Sequence, residues 1–301
     1  MKVKEIKLSN DMALPPICYG PGIINTDILN LNLSGFSCIK KRKQIYSDIR
    51  KIYTLKHALM NGEKTFIDTA TAYGYAEGTI GKIISKTDRN KVIICTKISA
   101  KDQIRNGKNI KKIYSNSLKY LDVKKIDIYL MHWPVIRNYI DVWKQMEELY
   151  LQGKVGAIGV CNCHIHHLEE ILSCGEVKPM IHQMEVHPLF TQNEMRQFCN
   201  KEGIQIMAYT PIARNDDRLL DSRILNNIAR KYKKTISQVV LRWHTQLGNI
   251  PVVSTKSVKH YQENNHIFDF CLSEEEMNQI TSININSRLR YDSDNCDFLE
   301  L

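Results

Sequence analysis

A closed (β/α)8 barrel is the fold class this chain predicts, and two observations carry it. Eight short apolar or β-branched runs recur along 301 residues, separated by stretches with helical spacing. Strands alternating with helices favour a parallel sheet, and near-continuous apolar strands favour one covered on both faces. Polar and titratable residues then stand at or just past the same end of successive runs, as they do at the carboxyl rim of such a barrel. A doubly wound open sheet is the alternative.

An amino-terminal β-hairpin is expected to precede the barrel. The runs then follow as PPICYG (15–20), FIDTA (66–70), VIICTK (92–97), IDIYLMH (126–132), AIGVCN (157–162), MIHQMEV (180–186), IQIMAYT (204–210) and NIPVVST (249–255). Between them, Ile45, Ile49, Ile52 and Leu59 mark one apolar helix face, and Val142, Met146 and Leu149 another. Gly62, Gly153, Gly203 and Gly248 stand where helices end on a left-handed residue. Thr235 with Gln238 and Ser273 with Glu276 form capping boxes that start helices through Trp243 and Ile280. Residues 1–301 read as a single barrel domain with an insertion at about 22–43, which would overhang the site, and a C-terminal tail, SRLRYDSDNCDFLEL.

Lysine and arginine outnumber the acids 42 to 32, a net charge of +10. The basic residues are spread along helices rather than gathered with interleaved aromatics, which reads as a solvated surface and no nucleic-acid site. A cofactor carrying several phosphates would also exploit it. No apolar run approaches bilayer-spanning length, and the opening residues MKVKEIKLSND show no signal region. A cytoplasmic protein without a membrane partner is expected, its nine cysteines reduced.

The strand ends deliver Asp68, Lys97, His132, Asn162, Gln183 or Glu185, Tyr209 and Lys256, with Tyr73 five residues past Asp68. A phenol titrates near ~10 and needs help to move a proton at neutral pH. A neighbouring ammonium favours its phenolate, an aspartate keeps that ammonium charged, and a histidine orients the reacting oxygen. Such a site protonates a carbonyl oxygen while a nicotinamide supplies hydride to the carbon.

Several stretches, in order and over nearly the whole chain, resemble the aldo-keto reductase family. They are FIDTA followed by YG and Glu77, the TK at Thr96 and Lys97, LMHWP (130–134), IGVCN (158–162), HQMEVHP (182–188), AYTP (208–211) and QENNHIFDF (262–270). The resemblance implies Tyr73 as proton donor, Lys97 and Asp68 as its tuning pair, and His132 as the group that positions the carbonyl. It implies Asn162 and Gln183 on the nicotinamide carboxamide, Tyr209 against the ring and Thr210 beside it. Lys256 and Ser257 would meet the 2′-phosphate of NADPH, with Glu263 and Asn264 near the adenine. A metal-free monomer acting on a small-molecule carbonyl or alcohol is expected.

This chain also departs from the pattern. Cys161 replaces a serine at one carboxamide contact, the turn Tyr73-Gly74-Tyr75-Ala76-Glu77 is one residue longer than usual, and His260 stands where NADPH-selective relatives carry an arginine. NADPH is therefore expected with NADH still open, since a neutral imidazole clamps phosphate less well than a guanidinium. Lys97 also has a Schiff-base reading, which would not need the Asp68 and Tyr73 pair. The run from Cys161 through His164, His166 and His167 resembles a metal cluster, but across a strand end and a helix start its side chains are expected to point several ways. Met131, Trp133, Trp143 and Trp243 are expected to be packing residues. Arg288, Arg290 and Tyr291 would meet an anionic group if the tail folds over the mouth, and the site is otherwise expected to be open. The functional expectation is NAD(P)H-dependent reduction of an aldehyde or ketone. The rival is a weakly catalytic nucleotide-binding subunit that senses redox state.

Overall fold

The computed structural model describes residues 5–25, 27, 39–61, 63–107 and 109–300. It opens with an antiparallel hairpin, β1 (Ile6–Lys7) and β2 (Ala13–Leu14), in which Ile6 faces Leu14. Leu8 and Leu14 are buried with Cys18, Phe66, Ile93 and Met207, so the hairpin plugs the amino-terminal end of the barrel.

Strand and helix then alternate: β3 (Cys18–Tyr19), α1 (Ile39–Met60), β4 (Thr65–Asp68), α2 (Ala76–Ile84), β5 (Val92–Ile98), α3 (Ala100–Asn106) and α4 (Ile110–Leu121). Next come β6 (Ile126–Met131), α5 (Tyr139–Leu151), β7 (Val155–Cys161), α6 (Ile165–Cys174), β8 (Ile181–Glu185), α7 (Asn193–Glu202) and β9 (Gln205–Tyr209). The chain finishes with α8 (Asp217–Leu220), α9 (Arg223–Tyr232), α10 (Ile236–Gln246), β10 (Ile250–Val253), α11 (Val258–Asn265) and α12 (Glu274–Thr281). Strands β3 to β10 close in the order β10-β3-β4-β5-β6-β7-β8-β9, and each neighbouring pair is parallel.

All eight expected strands are present. The first is reduced to Cys18 and Tyr19 because Pro15 and Pro16 have no N–H for the ladder. All seven residues of β5, VIICTKI, are buried, as a strand covered on both faces requires. Both capping boxes form, at Thr235 with Gln238 and at Ser273 with Glu276. Gly153, Gly203 and Gly248 adopt positive φ at helix ends, whereas Gly62 lies outside the described residues. The expected face of α1 is corrected: Ile52, Leu55 and Leu59 are buried, but Ile49 is exposed, because the helix turns Asp48 inward instead. Of the 22–43 insertion, residues 26 and 28–38 lie outside the described residues.

Two apolar layers result. Ile94, Tyr129, Ile158 and Ile206 point outward to meet the helices, while Phe66, Ile93, Ile128, Ala157, Ile181 and Met207 fill the barrel interior. Trp143 and Trp243 are fully buried in the outer layer, and Met131 also packs there.

Candidate active site

Side chains alternate along a strand with a period of two, so whatever follows an inward apolar residue by two positions also points inward. Phe66 is followed by Asp68, Cys95 by Lys97, Leu130 by His132, Ile181 by Gln183 and then Glu185, and Met207 by Tyr209. Each strand thus fills the interior at its base and presents a polar group at its carboxyl end. The register, with Asp68 beside Cys95 and Lys97 beside Leu130, draws these groups onto one rim.

At the centre, Lys97 Nζ donates to Asp68 Oδ2 at 2.7 Å and to the carbonyl of Thr69 at 2.8 Å. The lysine side chain is 0% exposed and the aspartate 5%. Burial alone would pull the lysine down, but the aspartate and Tyr73 override it, and Lys97 is held charged far above neutrality. Gln183 Nε2 donates to the other oxygen of Asp68 at 2.8 Å.

Tyr73 comes from the loop between β4 and α2. Its ring centroid is 5.1 Å from Lys97 Nζ and 5.7 Å from the His132 ring, which it meets nearly edge-on. The loop is fixed by a bridge in which Ile24 N–H donates to Tyr73 O and Tyr75 N–H donates to Ile24 O. Gly74, at φ 61°, is required there, since a Cβ would stand 2.6 Å from the Ile24 carbonyl oxygen. Burial pushes the Tyr73 phenol above its ordinary value of 10.0, and Lys97 offsets this only in part. The sequence expects Lys97 to favour the phenolate. In the folded protein desolvation wins and the phenol keeps its proton. Burial, with Lys97 and Arg290 adding to it, holds His132 well below its ordinary value, so the imidazole is neutral.

Around this tetrad, Asn162 Nδ2 donates to His132 O at 2.9 Å and Tyr209 Oη donates to Asn162 Oδ1 at 2.7 Å. Asn162 and Thr210 follow β7 and β9 with φ 59° and 52°. A β-branched residue seldom adopts that conformation, and such backbone clusters at ligand sites. Cys161 is buried beside Lys97 and Asp68, and burial keeps its thiol protonated. On the far side, Lys256 follows β10 and Ser257 caps α11, its Oγ accepting from His260 N–H at 3.4 Å. His260 is exposed, while Glu263 and Asn264 are half-buried on the same helix.

The donor set suits a dinucleotide. Among the described residues Asn162 keeps a second amide hydrogen and Gln183 a free carbonyl oxygen, the complementary pair that a carboxamide needs. At Gly20 a Cβ would crowd Val252 Cγ1 at 3.3 Å and stand 3.9 Å from the Asp68 carboxylate, so glycine keeps that space clear. The free amides at the start of α11, with Lys256, suit a phosphate.

Two features escape sequence reasoning. Arg50, on α1, donates through Nε to the Lys256 carbonyl at 3.1 Å, which sets a guanidinium beside the α11 terminus. No local pattern marks it, because 206 positions separate the two. Glu185, paired with Gln183 as alternatives in the sequence, serves differently: its buried carboxylate accepts from the backbone N–H groups of Leu289 at 2.8 Å and Arg290 at 3.0 Å. The tail therefore crosses the rim, and Phe298 reaches Trp133 at 6.5 Å between ring centroids. This corrects the expectation of an open site. Arg290 brings positive charge to Tyr73, His132 and Tyr209, while Arg288 stacks on Phe190 at 4.9 Å.

A closed eight-stranded barrel with aspartate, tyrosine, lysine and histidine gathered at its carboxyl rim defines a class of barrel oxidoreductase. The chain belongs to the aldo/keto reductase family, whose model matches residues 37–285. It is 40% identical over 239 residues to glyoxal reductase of Bacillus subtilis (strain 168), a match covering 78% of this chain and 84% of that protein. It is 35% identical over 247 residues to methylglyoxal reductase of Escherichia coli (strain K12), covering 81% and 88%. Among solved structures, an aldo-keto reductase of Bombyx mori in complex with NADP superposes with a TM-score of 0.80 at 25% identity, covering 98% of this chain and 97% of that one. An aldo-keto reductase from a deep-sea metagenome library gives 0.84 at 29%, covering 97% and 99%.

Proposed function

We propose that this aldo-keto reductase uses NADPH to reduce small aldehydes and ketones, α-oxoaldehydes among them, with Tyr73 as the proton donor and alcohol oxidation as the reverse. The observation that carries this reading is the buried Lys97–Asp68 pair set against a protonated Tyr73, which neutral His132 meets edge-on. The names of the glyoxal- and methylglyoxal-reducing relatives support the substrate class, and the relative held with NADP supports the cofactor.

Reduced nicotinamide supplies the hydride when bound. Asn162, Gln183 and the Cys161 thiol hold its carboxamide, with Tyr209 and Thr210 beside the ring. Lys256, Ser257 and His260 take the 2′-phosphate, and Glu263 and Asn264 the adenine. His132 orients the carbonyl oxygen toward the Tyr73 hydroxyl, and Tyr73 gives up its proton as negative charge develops there. Lys97, kept protonated by Asp68, stabilises the phenolate left behind. Trp133 and the tail keep water from the reacting oxygen. The chain is read as one domain acting as a cytoplasmic monomer. Among the described residues no helix is long and apolar enough to cross a membrane.

The test is NADPH and NADH oxidation with methylglyoxal, glyoxal and aromatic aldehydes, comparing the natural chain with Tyr73→Phe. Turnover lost in Tyr73→Phe with dinucleotide binding retained is the expected result. Equal turnover in both proteins would remove Tyr73 from the mechanism, and dinucleotide binding without turnover in either would favour a redox sensor.

A further inference from the structure

The run from Cys161 to His167 points more than one way, as the sequence expects, but its three histidines stay together. Cys161 and Cys163 point into the protein and are buried, whereas His164, His166 and His167 turn together at the first turn of α6. Two aspartates of the C-terminal tail meet them there. His164 Nε2 lies 2.8 Å from Asp292 Oδ1 and 3.7 Å from Asp294 Oδ2, and His166 Nε2 lies 3.4 Å from Asp294 Oδ1. Asp294 N–H donates to Asp292 Oδ1 at 3.0 Å, which holds the two carboxylates side by side. We propose that His164, Asp292 and Asp294, joined by His166, bind a divalent cation of the zinc class and so bolt the tail to the barrel.

The spacing suits that ion. Tetrahedral zinc with N and O ligands at roughly 2.0–2.2 Å places those ligands roughly 3.3–3.6 Å apart. Two of these three separations, which reach Asp294 through its two different oxygens, fall near this range, and the 2.8 Å contact of His164 with Asp292 opens by about 0.6 Å to match it. Two imidazoles with two carboxylates form a borderline N/O donor set, which favours zinc-like ions over calcium or magnesium. His166 is 59% exposed, so its ring can turn onto the shared point.

His167 has another part. Its Nδ1 accepts the backbone N–H of His164 at 3.1 Å, so in the neutral ring the proton sits on Nε2. The His167 side chain is 5% exposed, and its Nε2 lies 3.6 Å from Asp294 Oδ1, beyond a full hydrogen bond. It is placed to orient a ligating carboxylate rather than to ligate, the support that metal-bound groups commonly receive. A cavity of about 500 Å³ lined by Ile136, Arg137, His166, His167 and Asp294 borders the Asp294 side of the cluster. The consequence reaches the active site, because the same tail is tied to Glu185 and packs Phe298 on Trp133.

The test is titration of the full chain with Zn²⁺ by calorimetry, with Co²⁺ absorption as a ligand probe. One saturable equivalent is expected, weakened at least ~10-fold in His164→Gln and in Asp294→Asn. Both variants should keep their thermal midpoint, and bound metal should slow hydrogen exchange over 288–298 in the natural chain alone. A variant lacking the two thiols that are exposed among the described residues, Cys174→Ser with Cys271→Ser, should bind as the natural chain does. Absence of saturable binding, an affinity in both ligand variants unchanged from that of the natural chain, or a Co²⁺–thiolate charge-transfer band would each overturn the proposal.

Discussion

Lys97 Nζ stands 2.7 Å from Asp68 Oδ2, and neither side chain has appreciable contact with solvent. Two charges removed from water together recover their desolvation only through close geometry and further hydrogen bonds. Here those bonds are present, from Lys97 to the Thr69 carbonyl and from Gln183 to Asp68. The pair sets the electrostatics around Tyr73 while packing as part of the barrel interior.

Breaking the pair on one side should therefore be worse than removing it. Asp68→Leu or Lys97→Met alone leaves an uncompensated buried charge and should destabilise by about 3–5 kcal/mol. The double variant Asp68→Leu with Lys97→Met should lose less than the sum of the two single losses. Chemical denaturation of the four proteins measures this, and additive losses would mean that the two charges are not coupled.

The pH dependence follows from the directions of the shifts. With Tyr73 as the proposed donor, reduction needs its phenol protonated, and burial has raised that phenol above 10.0, so the proton is present across the neutral range. His132, pushed well below 6.5, is already neutral there and should add no inflection near that value. The kcat/KM for reduction should stay level from neutral pH and fall only above about pH 10, whereas alcohol oxidation, which needs the phenolate, should rise with pH throughout. An alkaline fall in reduction below about pH 9 would contradict this protonation state.

Much of this was legible because barrel strands carry two signals at once. In VIICTKI the buried run identifies the strand, and the period of two that fills the interior with Ile93 and Cys95 also aims Lys97 at the rim. The caps at Thr235 and Ser273 were readable because their partners lie three residues away. Contacts closed across the chain were not. Arg50 reaches Lys256 over 206 positions, and His164 reaches Asp292 over 128, with nothing local to mark either partner. The sign of the Tyr73 shift was also hidden, because residue types give the neighbouring charge but not the depth of burial.

Cofactor preference gives a prediction on the α11 terminus. His260 is exposed one turn into that helix, close to Lys256 and Ser257. A guanidinium at 260 would add a bidentate phosphate contact, so His260→Arg should tighten NADPH by about 5- to 10-fold relative to NADH. Lys256→Ala should weaken NADPH selectively. Fluorescence titration with both dinucleotides checks this, and a parallel change for NADH would place the 2′-phosphate elsewhere.

Glu185 gives the sharpest handle on the tail. Its two oxygens accept from Leu289 and Arg290 amides at 2.8 and 3.0 Å, and His187 Nε2 lies 3.1 Å from the first. Hydrogen bonds to a buried carboxylate are stronger than neutral ones, each worth about 1.5–3 kcal/mol. Glu185→Gln keeps the shape but replaces one accepting oxygen with a donor that faces another donor. The tail should then open locally without unfolding the barrel, whose strands do not depend on it. Hydrogen exchange at 289 and 290 should accelerate by at least ~10-fold, while the protection of β5 and β6 stays unchanged. KM for the carbonyl substrate should rise more than kcat falls, since the tail covers the site while Tyr73, Lys97, Asp68 and His132 stand on other elements. A loss confined to kcat would instead mean that Glu185 acts on the tetrad itself.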